Sequence, residues 1–182
     1  MKGYNATGIQ EIATEAGIPK GSFYTYFSSK EDFGVAVIRY YTQNSLASFQ
    51  ERLEEASKQE DASEQEDAYH ALAKVFISIT EKYKSAPIKK GCLLGNLGAE
   101  ISEASEECRM ELQRSVRQYI EVLTERITIG QSLGKVRKDI PAQHLAEFIW
   151  DCWQGSLLRM KIEGSVEPVS RNLELLFHGI LS

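Results

Sequence analysis

Cysteine is scarce in this chain of 182 residues: Cys92, Cys108 and Cys152 are the whole supply. They are odd in number, widely spaced and without a CxxC pair, which excludes a disulfide framework and a cysteine zinc site and leaves reduced thiols as the expectation. Long apolar runs are missing too. None approaches the roughly 18 residues of a membrane span, so no membrane partner is expected. The opening Met1-Lys2-Gly3-Tyr4 lacks the apolar stretch of a secretory signal, and the expected compartment is the cytoplasm. Histidine is sparse: His70, His144 and His178 stand far apart without metal-ligand spacing. No Ser/His/Asp order, HExxH, P-loop or GxGxxG occurs. The chain is therefore expected not to be an enzyme and to carry no cofactor and no metal.

Positive charge is also in deficit, with a net charge of -5 that argues against a polyanion partner if read over the whole chain. Its distribution reverses the argument locally. Residues 1 to 30 hold Lys2, Lys20 and Lys30 against Glu11 and Glu15, a balance of +1 that leaves -6 for the remainder. The N-terminal stretch is where nucleic acid meets least repulsion.

What is present is helical periodicity almost throughout, and the fold class expected is all-α with eight helices. Thr7 reads as the N-cap of a first helix carrying Ile9, Ile12, Ala13 and Ala16, and Gly17 reads as its C-terminal stop. Pro19 opens a short second helix, Lys20 to Phe27. Ser28 with Glu31, or Ser29 with Asp32, fits a capping box for a third, whose stripe is Phe33, Val37, Tyr40 and Tyr41. From Glu51 to Asp67 the residues turn polar, a solvated helix end and a connection. Four longer amphipathic stretches follow: Leu72 to Tyr83, Leu112 to Ile127, Leu145 to Met160 and Val169 to Ile180. A shorter helix is expected within Gly91 to Ser102. Pro87, Gly134 with Pro141, and Gly164 with Pro168 supply the breaks.

Two helices joined by a tight glycine-containing turn make a helix-turn-helix, whose second helix enters the major groove. In residues 7 to 27, Phe23 and Phe27 fall on one face and pack inward with Ile12 and Ile18. Lys20 and Tyr24 share a different face, left free to read DNA. Gly21 and Ser22 are small, so the helix start can approach a phosphate closely.

The segment TGIQEIATEAGIPKGSFYTYFSSKEDF is similar to the DNA-binding signature of the TetR family of bacterial repressors. The resemblance implies that Thr7 and Gln10 approach the DNA from the supporting helix. It implies that Lys20, Gly21, Ser22, Tyr24 and Thr25 lie at the groove, and that Tyr26 and Lys30 grip phosphates. It further implies a C-terminal helical domain that binds a small effector and holds a dimer together. Family members carry a further helix ahead of the position of Lys2-Gly3-Tyr4, and this sequence has no room for it. Either Met1 is internal to a longer native chain or the DNA-binding domain is compromised; the first is the reading adopted. The expected domains are 1-45, a helix-turn-helix DNA-binding domain without its first helix, and 46-182, an effector-binding and dimerisation domain.

In the second half, Trp150 and Trp153 sit on one helix with Phe148, and their flat faces suit an apolar ligand. Phe76, Tyr83 and Tyr119 are further aromatic candidates. Asn96, Glu100, His144 and Gln154 are polar residues in or beside apolar stretches. The expected ligand-binding set is Cys92, Asn96, Tyr119, Trp150 and Trp153. Gly91-Cys92-Leu93-Leu94-Gly95-Asn96-Leu97 followed by Glu100 looks like the start of the effector domain in a subset of the same family, some members of which sense electrophiles through a cysteine. Lys89 and Lys90 give Cys92 a setting suited to that role, while an inert structural thiol is the other reading. Cys108, between Glu107 and Arg109, suits the role less, because acids disfavour a thiolate.

The last two helices carry more apolar residues than one contact face needs, so a homodimer is expected through Leu157, Leu158, Leu173, Leu176, Phe177 and Ile180. The function expected is a ligand-responsive repressor that binds a palindromic operator as a homodimer and is released by a small molecule. The alternative is an all-helical ligand-binding or adaptor protein that does not bind DNA.

Overall fold

A computed structural model describes residues 3–58, 68–87 and 90–181. Among them the chain is all-α: α1 (Ile9–Glu15), α2 (Lys20–Tyr26), α3 (Lys30–Lys58), α4 (Ala68–Ser85), α5 (Leu93–Ile101), α6 (Glu106–Ser132), α7 (Ala142–Glu163) and α8 (Glu167–Leu175), with a π-helical turn at Leu176–Ile180. No strand occurs among the described residues. Most of the connection expected between the third and fourth helices, and Lys89, lie outside them. Two compact units emerge, residues 1–44 with 93–116 and residues 45–92 with 117–182. Residues 93–116 thus pack in the same unit as the N-terminal helices.

In the first unit, α1 ends as its glycine predicts. Gly17 has φ +67°, the Gly17 N–H donates to the Thr14 carbonyl at 3.1 Å, and the Ile18 N–H donates to the Ala13 carbonyl at 3.0 Å. That pair of bonds is a Schellman motif, a conformation that favours glycine at the left-handed position. Thr7 is not the cap expected of it. Gly8 occupies the N-cap without a side-chain bond, and the Thr7 hydroxyl donates to the Gly3 carbonyl at 2.9 Å, closing the turn ahead of the helix. Ile18 is 38% exposed, because it lies on the turn itself and belongs to no helix face. Phe23 is the anchor of α2, buried against Phe27 and Phe33 with ring centroids 5.3 and 5.6 Å away.

Ser29 caps α3 by accepting the Asp32 N–H at 3.0 Å, and the Asp32 carboxylate accepts the Ser28 N–H at 2.9 Å. Glu31 does not close a box; the Ser105 hydroxyl donates to its carboxylate. Tyr40, read as part of the apolar stripe of α3, is exposed, and the buried positions are instead Gly34, Ile38 and Thr42. At Gly34 a Cβ would stand 3.1 Å from both the Cys108 Sγ and the Tyr4 ring, so any larger residue there needs these neighbours to give way by a few tenths of an ångström. One turn on, Arg39 donates to both carboxylate oxygens of Glu111, at 3.3 and 3.0 Å. The buried hydroxyls of Thr42 and Ser115 meet at 2.8 Å.

The second unit is a helical bundle with a continuous apolar core. Leu53 from α3, Leu72 and Phe76 from α4, Leu123 and Ile127 from α6, Ile149, Trp153 and Met160 from α7, and Leu173 from α8 are all buried in it. Gly164, at φ +65°, stops α7, and Pro168 lies at the start of α8. The end of the chain is tied back: the Arg137 N–H donates to the Leu181 carbonyl at 3.0 Å, and the Tyr69 hydroxyl donates to the Phe177 carbonyl.

Candidate nucleic-acid interface and aromatic cluster

The seven residues of α2 divide by face as a DNA reader requires. Phe23 is buried, while Lys20, Gly21, Tyr24, Thr25 and Tyr26 are exposed and Ser22 is half-buried. Tyr24 is 52% and Tyr26 75% exposed, large values for aromatic rings next to a core residue. On the supporting helix Gln10 is exposed, and its carbonyl accepts the Thr14 hydroxyl at 2.8 Å. Thr7 is half-buried, with its hydroxyl engaged by Gly3.

Lys30 is held by neighbours that sequence reasoning missed. Its ammonium lies 4.4 Å above the Tyr4 ring and 3.5 Å from the Asn5 carbonyl, while the Tyr4 hydroxyl donates to the Lys30 carbonyl at 2.9 Å. Asn5 in turn donates to the Glu100 carbonyl of α5 at 2.8 Å. Burial pushes the Tyr4 phenol up, so it stays a donor. No local motif announces these ties, since Tyr4 and Lys30 are 26 residues apart in sequence and meet only in the folded unit.

In the second unit, Tyr119 and Trp150 stack with centroids 5.0 Å apart and planes 29° from parallel. Phe76 packs on Trp153 at 4.8 Å, Tyr83 lies 6.5 Å from Trp153, and Phe49 lies 6.3 Å from Tyr119. Tyr119 and Ser45 share a 2.6 Å hydrogen bond. Burial drives the Tyr83 phenol up to about 12, and the nearby Cys92 adds to that; the Tyr83 hydroxyl donates to the Gly91 carbonyl. Tyr119 is raised as well, by burial first.

The polar candidates divide. The Gln154 amide nitrogen, one turn beyond Trp150 on α7, is buried without a hydrogen-bond partner, whereas His144 is exposed. Asn96 lies on α5 in the first unit, while Cys92, Tyr119, Trp150 and Trp153 belong to the second. Phe148 is 43% exposed on the outer side of α7 and does not join the aromatic cluster. Ser45 and Phe49, which do, were missed from the sequence, where the stripe of this helix was read through Phe33, Val37, Tyr40 and Tyr41; they continue the spacing of Ile38 and Thr42, which the structure buries. Cys92 is half-buried just ahead of α5, and Lys90 is exposed. The Cys108 thiol is pushed up by burial, against a lowering hydrogen bond with Ser105, and then further by Glu31 and Glu107.

Residues 1–37 match the model of the tetR family of bacterial regulatory proteins, and residues 68–176 match the tetracyclin repressor-like C-terminal domain. The chain belongs to the TetR family. The HTH-type transcriptional repressor DhaR of a Mycobacterium species is 34% identical over 180 residues, 99% of this chain and 85% of that protein. The reduced form of Escherichia coli NemR superimposes with a TM-score of 0.85 at 26% identity, covering 98% of this chain and 88% of that one. A regulatory protein TetR from Rhodobacter sphaeroides gives 0.84 at 28%, covering 97% and 89%.

As a TetR-family member, the chain is a DNA-binding transcriptional regulator with an N-terminal helix-turn-helix and a C-terminal helical domain, and the reading as a helical protein that does not touch DNA finds no support. No described helix is long and apolar enough to cross a membrane. The residues expected to pair two copies are placed in two ways. Leu157, Leu173, Leu176 and Phe177 are buried within one chain and Ile180 is half-buried, whereas Leu158 is 58% exposed. Ile162 and Leu175, at 74% and 58%, are exposed with it. Burial of the first four is complete without a partner, because α4 and α8 pack together and α7 closes over them.

Proposed function

We propose that the protein represses transcription in the cytoplasm as a homodimer on a palindromic operator and that a small molecule releases it. The observation carrying the DNA half is the division of α2: a buried Phe23 fixes the helix, and Lys20, Gly21, Tyr24, Thr25 and Tyr26 stay exposed beside it. Residues 1-45 read the DNA, with Ser22 at the groove, Thr7 and Gln10 at the backbone or groove edge, and Tyr26 and Lys30 on phosphates. Residues 46-182 bind the effector and the second copy. Two recognition helices then read half-sites about 34 Å apart, or a multiple of that.

The effector half rests on the aromatic cluster. Cys92, Tyr119, Trp150 and Trp153 offer flat apolar surface, and the unpartnered Gln154 amide nitrogen beside Trp150 favours a ligand that brings a hydrogen-bond acceptor. Release is a population shift: the ligand binds best to the form whose recognition helices are wrongly spaced. Fluorescence anisotropy with the DNA upstream of the protein's own gene, at fixed salt, tests the reading. Saturable binding that far exceeds binding to scrambled DNA supports it, and equal affinity for both refutes it.

A further inference from the structure

Lys30 is the first residue of α3, where a cation opposes the helix dipole; the positive end of that dipole favours the acids Glu31 and Asp32 that follow. Contacts from outside the helix hold the lysine there. The ring of Tyr4 lies 4.4 Å from the ammonium, and the Asn5 carbonyl accepts from it at 3.5 Å. The ring is fixed in turn. Its hydroxyl donates to the Lys30 carbonyl at 2.9 Å, and one turn further along α3 it lies against Gly34, where a Cβ would stand only 3.1 Å away. The turn that carries Tyr4 and Asn5 is closed by the Thr7 hydroxyl and N–H, which donate to the Gly3 and Tyr4 carbonyls at 2.9 and 3.2 Å. The Asn5 amide, donating to the Glu100 carbonyl at 2.8 Å, anchors that turn to α5. Residues 3–7 thus form a fixed platform under the lysine head.

We propose that Tyr4 is a positioning residue for DNA binding, its ring holding the Lys30 ammonium in place for a phosphate before DNA arrives. This deepens the reading of Lys30 as a phosphate contact and rests on it. The physical reason is entropic. A lysine stem free in solvent gives up its rotamer freedom when it docks, whereas one already held has given it up on folding, so more of the Coulomb attraction appears as affinity. An aromatic face suits the task because it attracts the cation without consuming an N–H. An ammonium has three donors, the Asn5 carbonyl takes one, and the others are left for phosphate oxygens. A carboxylate in the place of the ring would neutralise the charge that DNA binding uses. The two acids next in sequence are engaged elsewhere, Glu31 by the Ser105 hydroxyl and Asp32 by the Ser28 N–H.

The test replaces Tyr4 in the full chain with phenylalanine and then with singly, doubly and triply fluorinated phenylalanine. Fluorine withdraws electrons from the ring face and so weakens its pull on a cation, while the shape of the ring barely changes. Affinity is measured at fixed salt for the DNA upstream of the protein's own gene and for scrambled DNA. It is expected to fall stepwise on both with each added fluorine, by about fivefold across the series for two subunits together. In a Lys30→Ala background the same series is expected to be flat. If Tyr4→Phe does not fold, fluorinated tyrosines, at a pH that keeps the hydroxyl protonated, retain the bond to the Lys30 carbonyl and give the same comparison. A flat or rising series with Lys30 present, or a fall of equal size in both backgrounds, overturns the proposal and leaves Tyr4 a packing residue. Unchanged affinity of Lys30→Ala for both DNAs overturns the phosphate reading itself, and the positioning role falls with it.

Discussion

The Lys30 ammonium stands 4.4 Å over the ring of Tyr4, and the hydroxyl of the same tyrosine donates to the Lys30 backbone carbonyl. One aromatic side chain thus positions both the start of α3 and its cationic head beside the helix-turn-helix. If that head meets a phosphate, Lys30→Ala should weaken binding to all DNA sequences alike and lower the slope of log affinity against log salt by about one. Salt titrations on operator and on scrambled DNA measure this; an unchanged slope removes Lys30 from the interface.

Lys20 and Tyr24 differ from Lys30, because both stand on the outward face of α2. Lys20→Ala and Tyr24→Phe are expected to cost about 1 to 3 kcal/mol on the operator where the lost contact reads a base, and far less on scrambled DNA. Thermal unfolding should be nearly unchanged, since neither side chain is in the core. If both variants keep wild-type operator affinity at fixed salt, α2 is not the reading helix.

Glu111 supplies a pH dependence with a definite sign. The hydrogen bond from Arg39, and then that from Arg114, holds its carboxyl below the usual glutamate range against the opposing effect of burial. A depressed folded value means that this stabilisation is complete above the ordinary glutamate value of about 4.3 and is lost as pH falls from there through the folded value. Denaturant midpoints of wild type should therefore drop from pH 6 to pH 3 more than those of Glu111→Gln, and equal drops would show that the Arg39 contact adds nothing.

Two leucine-rich helices separate folding from assembly. Leu158→Asp, on the exposed side of α7, should yield a folded monomer with reduced operator affinity, since one recognition helix reads half a site. Phe177→Asp places an unpaired charge in the core and should cost more than about 3 kcal/mol of stability. Light scattering with circular dichroism distinguishes the two. A dimeric Leu158→Asp protein argues against this face.

Trp150 and Trp153 report on the effector directly. A ligand that releases the protein from DNA must itself bind more weakly to the operator complex, by the same factor by which it weakens operator binding. Tryptophan fluorescence titrations with and without operator should show that factor; a compound that binds both forms equally is not the inducer. For thiol-reactive compounds, Cys92→Ser should abolish release and leave operator affinity intact, and a wild-type response makes the thiol structural.

Local chemistry made much of this protein readable from its residues alone. Gly17 announced a left-handed helix end, Ser29 with Asp32 announced a helix start, and Gly164 with Pro168 announced a break, because each acts through bonds a few residues long. The periodic stripes showed which helices are amphipathic for the same reason. Short-range rules do not say which of two apolar faces a helix buries in its own core. Leu157 and Leu158 are adjacent and chemically identical, yet one is buried and the other 58% exposed, a difference decided by where α4 and α8 pack. Tertiary structure likewise turned Thr7 from a cap into a partner of Gly3, joined Tyr4 to Lys30 and Ser45 to Tyr119, and left the Gln154 amide nitrogen without a partner. Those pairings depend on chain segments distant in sequence arriving at one place, and no spacing within a single helix encodes that.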